Sequence, residues 1–255
     1  MGNGSITLLR MVRGMVYALP DWYKKQREEF LEHFESVCDD PHRVPEKSIR
    51  ASSPSGMYVL DVAVHRTGSD PKTPSWEYSR GVMVDNKTQE KIADIKRNFG
   101  HFPYAWVRQN QKEYLICGED YQGYSVVDLE RAKTHVFIPS EALSGTGFCW
   151  AEVKPSSSGK YLLVDGCYWA CDYELRLYDF SKPTELPIPM VANLSYLYGN
   201  PYEESVSLHG KWLDDRRIEI EAVVYNEGLQ PEKSVRVWTV EEVLSRGGPD
   251  KEAET

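Results

Sequence analysis

Apolar positions along this chain come in short runs, each entered through a polar turn, and the arrangement recurs four times. The segments are "SSPSGMYVLDVAV" (52–64), "RQNQKEYLICGED" (108–120), "KPSSSGKYLLVDG" (154–166) and "WLDDRRIEIEAVV" (212–224). Their anchoring positions, Tyr58, Tyr114, Tyr161 and Ile218, lie 56, 47 and 57 residues apart. A second motif follows each of them: "GVMVDNKTQEKIADI", "YSVVDLERAKTHVFI", "LRLYDFSKPTELPIP" and "VRVWTVEEVLSRG". The first three read as an apolar strand ending in Asp85, Asp128 or Asp179, then a turn and a shorter strand. Aspartate suits that place because its carboxylate accepts hydrogen bonds from backbone amides just downstream. In the fourth, Thr239 stands there and "VEEVLS" predicts a short helix. Valine, tyrosine and tryptophan dominate the runs, and glycine, proline, asparagine and serine the turns, as short β-strands require. Ahead of the array, "DWYKKQREEFLEHFESV" (21–37) predicts an amphipathic helix with Asp21 at its cap and Trp22, Phe30, Leu31 and Phe34 at helical spacing.

The repeat period and the strand ends "LYDF" and "VWTV" resemble WD-repeat-like β-propellers over roughly residues 48 to 240. No repeat carries the full Gly-His to Trp-Asp signature. The resemblance implies an all-β fold: a small propeller or propeller-like array of four antiparallel four-stranded meanders, or five if the N-terminal segment adds more than one strand. The fourth repeat supplies three strands, near 205–213, 216–225 and 233–239, and "ITLLRMV" (6–12) is the candidate fourth. The expected organisation is 1–47 closing or capping the array, 48–242 the repeat domain, and 243–255 a disordered tail.

With strands running from the innermost outward in each repeat, the turns "SSPSG", "RQNQ", "KPSSSG", "DNKTQ", "LERAK" and "FSKPT" share one face. The opposite face, here the top, receives "KRNFGHFP", "GEDYQG", "SGTGF", "DGCYWACDYE", "YGNPYEES" and "HRTGSDPKTPSWEY". Nearly every cluster of carboxylates, histidine, arginine and aromatic rings falls there, so the top face is where a ligand site is expected.

Two readings of that face follow. In the first it is a binding surface for a small polar ligand or a partner peptide, with Arg97, Asn98, Asp120, Tyr121, Gln122, Trp150, Tyr168 and Trp169 as contacts. In the second it is the active site of a metal-free hydrolase, lyase or isomerase, with His101 and one of Glu119, Asp165 or Glu174 exchanging protons. Glu119 and Asp120 are neighbours in sequence, and adjacent strand residues point to opposite faces, so only one of them is expected to reach a pocket.

Composition narrows the partners. Thirty basic against 39 acidic residues leave a net charge of −9, which repels phosphate backbones, and no basic stripe offsets it. Arg10 and Arg13 interrupt the only apolar N-terminal run, so neither an export signal nor a membrane span is expected. Five cysteines, an odd number, then point to reduced thiols and a cytoplasmic location. Cys167 and Cys171 have a spacing that zinc accepts, but no second ligand pair accompanies them. No metal or cofactor is expected, and no Walker or G-x-S-x-G sequence occurs in the chain.

Overall fold

The computed structural model describes residues 19–38, 40–68, 75–120, 122–169, 171–198, 205–225 and 230–247. Strands follow the repeats. The first sheet is β1 (Ile49–Ser52), β2 (Tyr58–Arg66), β3 (Glu77–Asp85) and β4 (Lys91–Arg97), and the second is β5 (Tyr104–Gln109), β6 (Lys112–Glu119), β7 (Gly123–Asp128) and β8 (Lys133–Phe137). The third is β9 (Cys149–Pro155), β10 (Tyr161–Cys167), β11 (Glu174–Asp179) and β12 (Met190–Asn193). The fourth has three strands among the described residues, β13 (Ser205–Asp214), β14 (Arg217–Tyr225) and β15 (Glu232–Thr239). Every neighbouring pair is antiparallel and consecutive, so each sheet is a meander.

The anchors are equivalent in space. Tyr58, Tyr114 and Tyr161 each begin the apolar part of a second strand and pair with Asp85, Asp128 and Asp179. In the fourth sheet Thr239 pairs with Arg217 and not with Ile218, so the structural counterpart of the tyrosines is one residue earlier than the hydrophobic pattern predicts. The aspartates close their turns as expected: Asp85 Oδ1 accepts from the amides of Lys87 and Thr88 at 2.8 Å, and Asp179 Oδ1 from Ser181 at 2.9 Å. Those amide bonds hold the Asp85 carboxyl below its ordinary pKa.

Successive sheets pack face to face. Leu60, Val62, Met83 and Ile95 of the first meet Leu115, Cys117 and Val127 of the second. Val107, Ile116 and Val126 of the second meet Trp150, Val153, Leu162 and Val164 of the third. Leu163, Leu175 and Leu177 of the third meet Leu208, Ile218, Ile220 and Ala222 of the fourth. The second sheet is covered on both sides, and all six residues of β7 are accordingly buried. Among the described residues no core cluster joins the fourth sheet to the first, and the array is open. The closing strand expected at 6–12 lies outside the described residues.

The predicted N-terminal helix, α1 (Asp21–Val37), has the expected span, but its N-cap is Pro20, and Asp21 is its first helical residue, bonded to Lys24. Its inward stripe also differs. Tyr23, Phe34 and Val37 are buried while Trp22 is 55% exposed, because the helix turns the Tyr23–Arg27–Phe30–Phe34 face to the sheets. Phe34 meets Tyr78 of β3 edge to face, Lys96 of β4 lies over the Phe34 ring, and Lys96 also pairs with Glu35. At the other end a second helix, α2 (Val240–Arg246), is closed by a reciprocal Thr239–Glu242 capping box. It buries Val243 and so carries ordered structure beyond position 242, where the tail was expected to begin. Among the described residues no helix is long and apolar enough to cross a membrane.

Candidate functional site

The top face holds a cavity of about 430 Å³ between α1 and the loops of the first three sheets. Its floor is the β6–β7 turn. Glu119 ends β6, and Asp120 follows with φ +53°. That left-handed backbone, one that aspartate tolerates better than most residues, overrides strand alternation. Both carboxylates consequently meet one guanidinium, that of Arg27 on α1: Nη2 donates to Glu119 Oε1, and Nη1 lies 3.4 Å from Asp120 Oδ2. Of the two, Asp120 lines the cavity while Glu119 is buried and does not, in keeping with the expectation that only one would reach a pocket. Tyr23 Oη donates to Asp120 Oδ2 at 2.7 Å, and Ser125 Oγ donates to Glu119 Oε2 at 2.6 Å. Beneath them the missing side chain of Gly118 leaves the space that the buried Arg97 guanidinium fills.

The walls come from four more loops. Gln122 spends both ends of its amide on the connection between β8 and β9, donating to Gly145 O at 3.0 Å and accepting from Gly147 N at 3.0 Å. Trp76, 45% exposed, is held by its indole N–H on Asn98 O at 2.6 Å. Asn98 itself lines the cavity, and its Oδ1 is buried without a hydrogen-bond partner. Trp169, 62% exposed, and Phe30 of α1 complete the aromatic part of the lining.

Of the residues expected to contact a ligand, Asn98, Asp120, Gln122 and Trp169 line this cavity together. Arg97, Trp150 and Tyr168 do not. Arg97 lies under the floor, over the Phe99 ring, and Trp150 is a core residue stacked on Tyr124 with 4.5 Å between ring centroids. Tyr168 packs against Phe148 and receives a hydrogen bond from Arg176. Tyr121 lies outside the described residues. The helix was expected as a cap and the loops carrying Trp76 and Gly145 on this face, but Arg27, Phe30, Trp76 and Gly145 were not named among the contacts, and they line the cavity too. The stripe Tyr23, Arg27, Phe30, Phe34, at intervals of 4, 3 and 4 residues, was the available signal for the helix.

The proposed acid–base residues are dispersed. His101 is exposed, and its Nε2 lies 2.5 Å from Ala151 O. Glu174 Oε2 accepts from Arg176 Nε at 3.0 Å, Arg176 Nη2 at 2.8 Å and Asn193 Nδ2 at 3.0 Å. The Arg176 guanidinium lies 3.8 Å from the centroid of Phe148 and 5.2 Å from that of Tyr168. Burial opposes its charge, but Tyr178, Glu174 and Tyr168 hold its pKa above the ordinary value. Through its bond to Tyr168 Oη, Arg176 also ties β11 to the loop that carries Trp169. The Cys167 thiol of that loop is not activated: burial, then the neighbouring thiols of Cys149 and Cys171, push it upward. In β6, burial pushes the Cys117 thiol up to about 12.

Asp165 lies between the third and fourth sheets. Its Oδ2 accepts from Lys154 Nζ at 3.0 Å and faces His209 Nδ1 at 3.4 Å, while Oδ1 is buried without a hydrogen-bond partner. Burial raises its pKa by more than Lys154 and His209 lower it. An acid whose folded pKa is raised stabilises the fold below its unfolded pKa and loses that contribution as pH rises through the folded value. Urea denaturation as pH rises above the ordinary aspartate value of about 4 should show this decline, and Asp165→Asn should flatten it. An unchanged slope in the variant would assign the pH dependence elsewhere.

No family model matches the chain. Uncharacterized protein R762 of Acanthamoeba polyphaga mimivirus is 35% identical over 133 residues, which cover 52% of this chain and 51% of that protein. The chain thus spans about half the length of this curated relative. Among solved structures it is similar to the β-propeller domain of Cps50 (Swd1) from Myceliophteria thermophila, at 15% identity over 90% of this chain and 58% of that one, with a TM-score of 0.42. It is also similar to the periplasmic gluconolactonase PpgL of Pseudomonas aeruginosa, at 12% identity over 75% of this chain and 56% of that one, TM-score 0.40. A third is TolB from Acinetobacter baumannii, at 13% identity over 75% and 42%, TM-score 0.37. The propeller-like arrangement is carried by the chain's own four sheets.

Proposed function

We propose that this protein is a binding module whose top-face cavity takes a small, uncharged polar ligand or a side chain of a partner peptide. The observation that carries this reading is the cavity itself: about 430 Å³, with Trp76, Phe30 and Trp169 as apolar walls and Gln26, Asn98 and Gln122 among its polar lining. That size and composition suit a small-molecule site. The charges near its floor, Arg27 and Arg97 against Glu119 and Asp120, offset one another, which favours an uncharged guest. Asn98 Oδ1 is the acceptor such a guest would satisfy with an N–H or O–H after a small rotation of the amide. His101 bonds a backbone carbonyl, and Glu119, Asp165 and Glu174 each face a cation, an arrangement that favours binding over acid–base chemistry. We place this function in a cytoplasmic setting, on the odd number of cysteines.

A thermal-shift screen of sugars, nucleosides and short peptides, followed by calorimetry, tests the proposal. Trp169→Ala should weaken a hit about tenfold, the value of one lost stacking contact, while leaving the melting temperature near that of the wild type. Trp76→Ala should behave similarly. Hits that bind both variants with wild-type affinity would remove the cavity from consideration.

A further inference from the structure

The fourth sheet ends on β15, whose setting differs from that of every other outer strand. In the first sheet β4 is covered by α1 through Phe34 and Glu35. In the second and third, β8 and β12 are only 5 and 4 residues long. β15 has 8 residues, pairs only with β14 among the described residues, and is exposed at six consecutive positions, Glu232 to Val237. Consecutive strand residues point to opposite faces, so among the described residues this stretch is open on both sides as well as along its edge. Val235 and Val237, exposed at 57% and 51%, add apolar surface to an unpaired ladder, which is a template for another strand.

We infer that β15 is the interface of a symmetric homodimer, two copies pairing antiparallel through this strand. Its sequence is self-complementary in one register. With Ser234 opposite Ser234 of the partner copy, Glu232 faces Arg236 and Arg236 faces Glu232, giving two opposite-charge cross-strand pairs. On the other face of the ribbon Lys233 lies opposite Val235, so each lysine stem covers a valine and the two valines sit diagonally adjacent. A two-fold axis through Ser234 satisfies both copies at once, and the joined ribbon is a continuous six-stranded sheet, counting the three strands of each copy. Residues 6–12 are the competing occupant.

Sedimentation velocity and light scattering on the full chain test the inference. A dimer is expected at micromolar concentrations. Arg236→Glu should raise its dissociation constant at least about tenfold by placing like charges opposite each other. Adding Glu232→Arg to that variant should restore dimerisation, which a general folding defect would not permit. Three outcomes overturn it: a monomer up to about 100 μM, a dimer insensitive to both substitutions, or a dimer that appears only when residues 1–18 are removed. The last would assign the edge to the chain's own N-terminal segment.

Discussion

Replacing Arg27 with methionine is expected to destabilise the fold by about 3–5 kcal/mol, the cost of leaving a buried charge without its partner. Glu119 is 4% exposed, and Arg27 is the cation that reaches both it and Asp120 from α1. Methionine retains much of the side chain's bulk, so the loss isolates charge from packing. Tyr23 still reaches Asp120 and Ser125 still reaches Glu119, but neither brings positive charge. Adding Glu119→Gln should recover part of the loss, because an uncharged amide needs no cation. Chemical denaturation monitored by circular dichroism reads the stability. Hydrogen exchange should show α1 opening before the sheets, since the helix spans the top face and is held at one end by this pair and at the other by Phe34. A variant within about 1 kcal/mol of the wild type would mean that the helix is held by apolar packing alone.

Arg176→Met should cost a comparable amount, about 3–5 kcal/mol. The residue is 6% exposed, donates twice to Glu174, and lies between the Phe148 and Tyr168 rings. Methionine preserves contact with the rings but leaves the Glu174 carboxylate with Asn193 as its remaining donor. Tyr168→Phe is the graded control: it removes one hydrogen bond to the guanidinium and should cost about 1 kcal/mol. The two changes should also differ at the cavity. Loss of Arg176 releases the loop that presents Trp169, so ligand affinity should fall together with stability, whereas Trp169→Ala lowers affinity alone. If Arg176→Met left affinity for a cavity ligand intact, the loop would not depend on this ion pair.

The local features of the chain were legible in its sequence. Strands declare themselves by apolar runs and turn residues: β2 and β10 begin at Tyr58 and Tyr161, and β6 begins two residues ahead of Tyr114. The turn aspartates and the span of α1 depend on contacts a few residues away, so pattern and spacing suffice to find them. The grouping of functional-looking loops on one face followed from the alternation of strand direction, and Asn98, Asp120, Gln122 and Trp169 do share a cavity.

Only the tertiary structure decided what those loops enclose. The Arg27 pairs join residues 92 and 93 positions apart, and the Tyr23 bond spans 97. No periodicity encodes which turn a helix side chain will reach. The left-handed backbone at Asp120 lets its carboxylate share the Arg27 guanidinium with Glu119, although of the two only Asp120 lines the cavity. Asp165, read as a candidate acid, is engaged by Lys154 of the neighbouring strand, a pairing set by sheet register, and Glu174 by Arg176 two residues along its own strand. Sequence alone thus determined the repeating strands, their turns and the face that carries the polar loops. Side-chain contacts between distant segments determined that α1 roofs that face, which carboxylates are held by cations, and which aromatic rings remain open to a ligand.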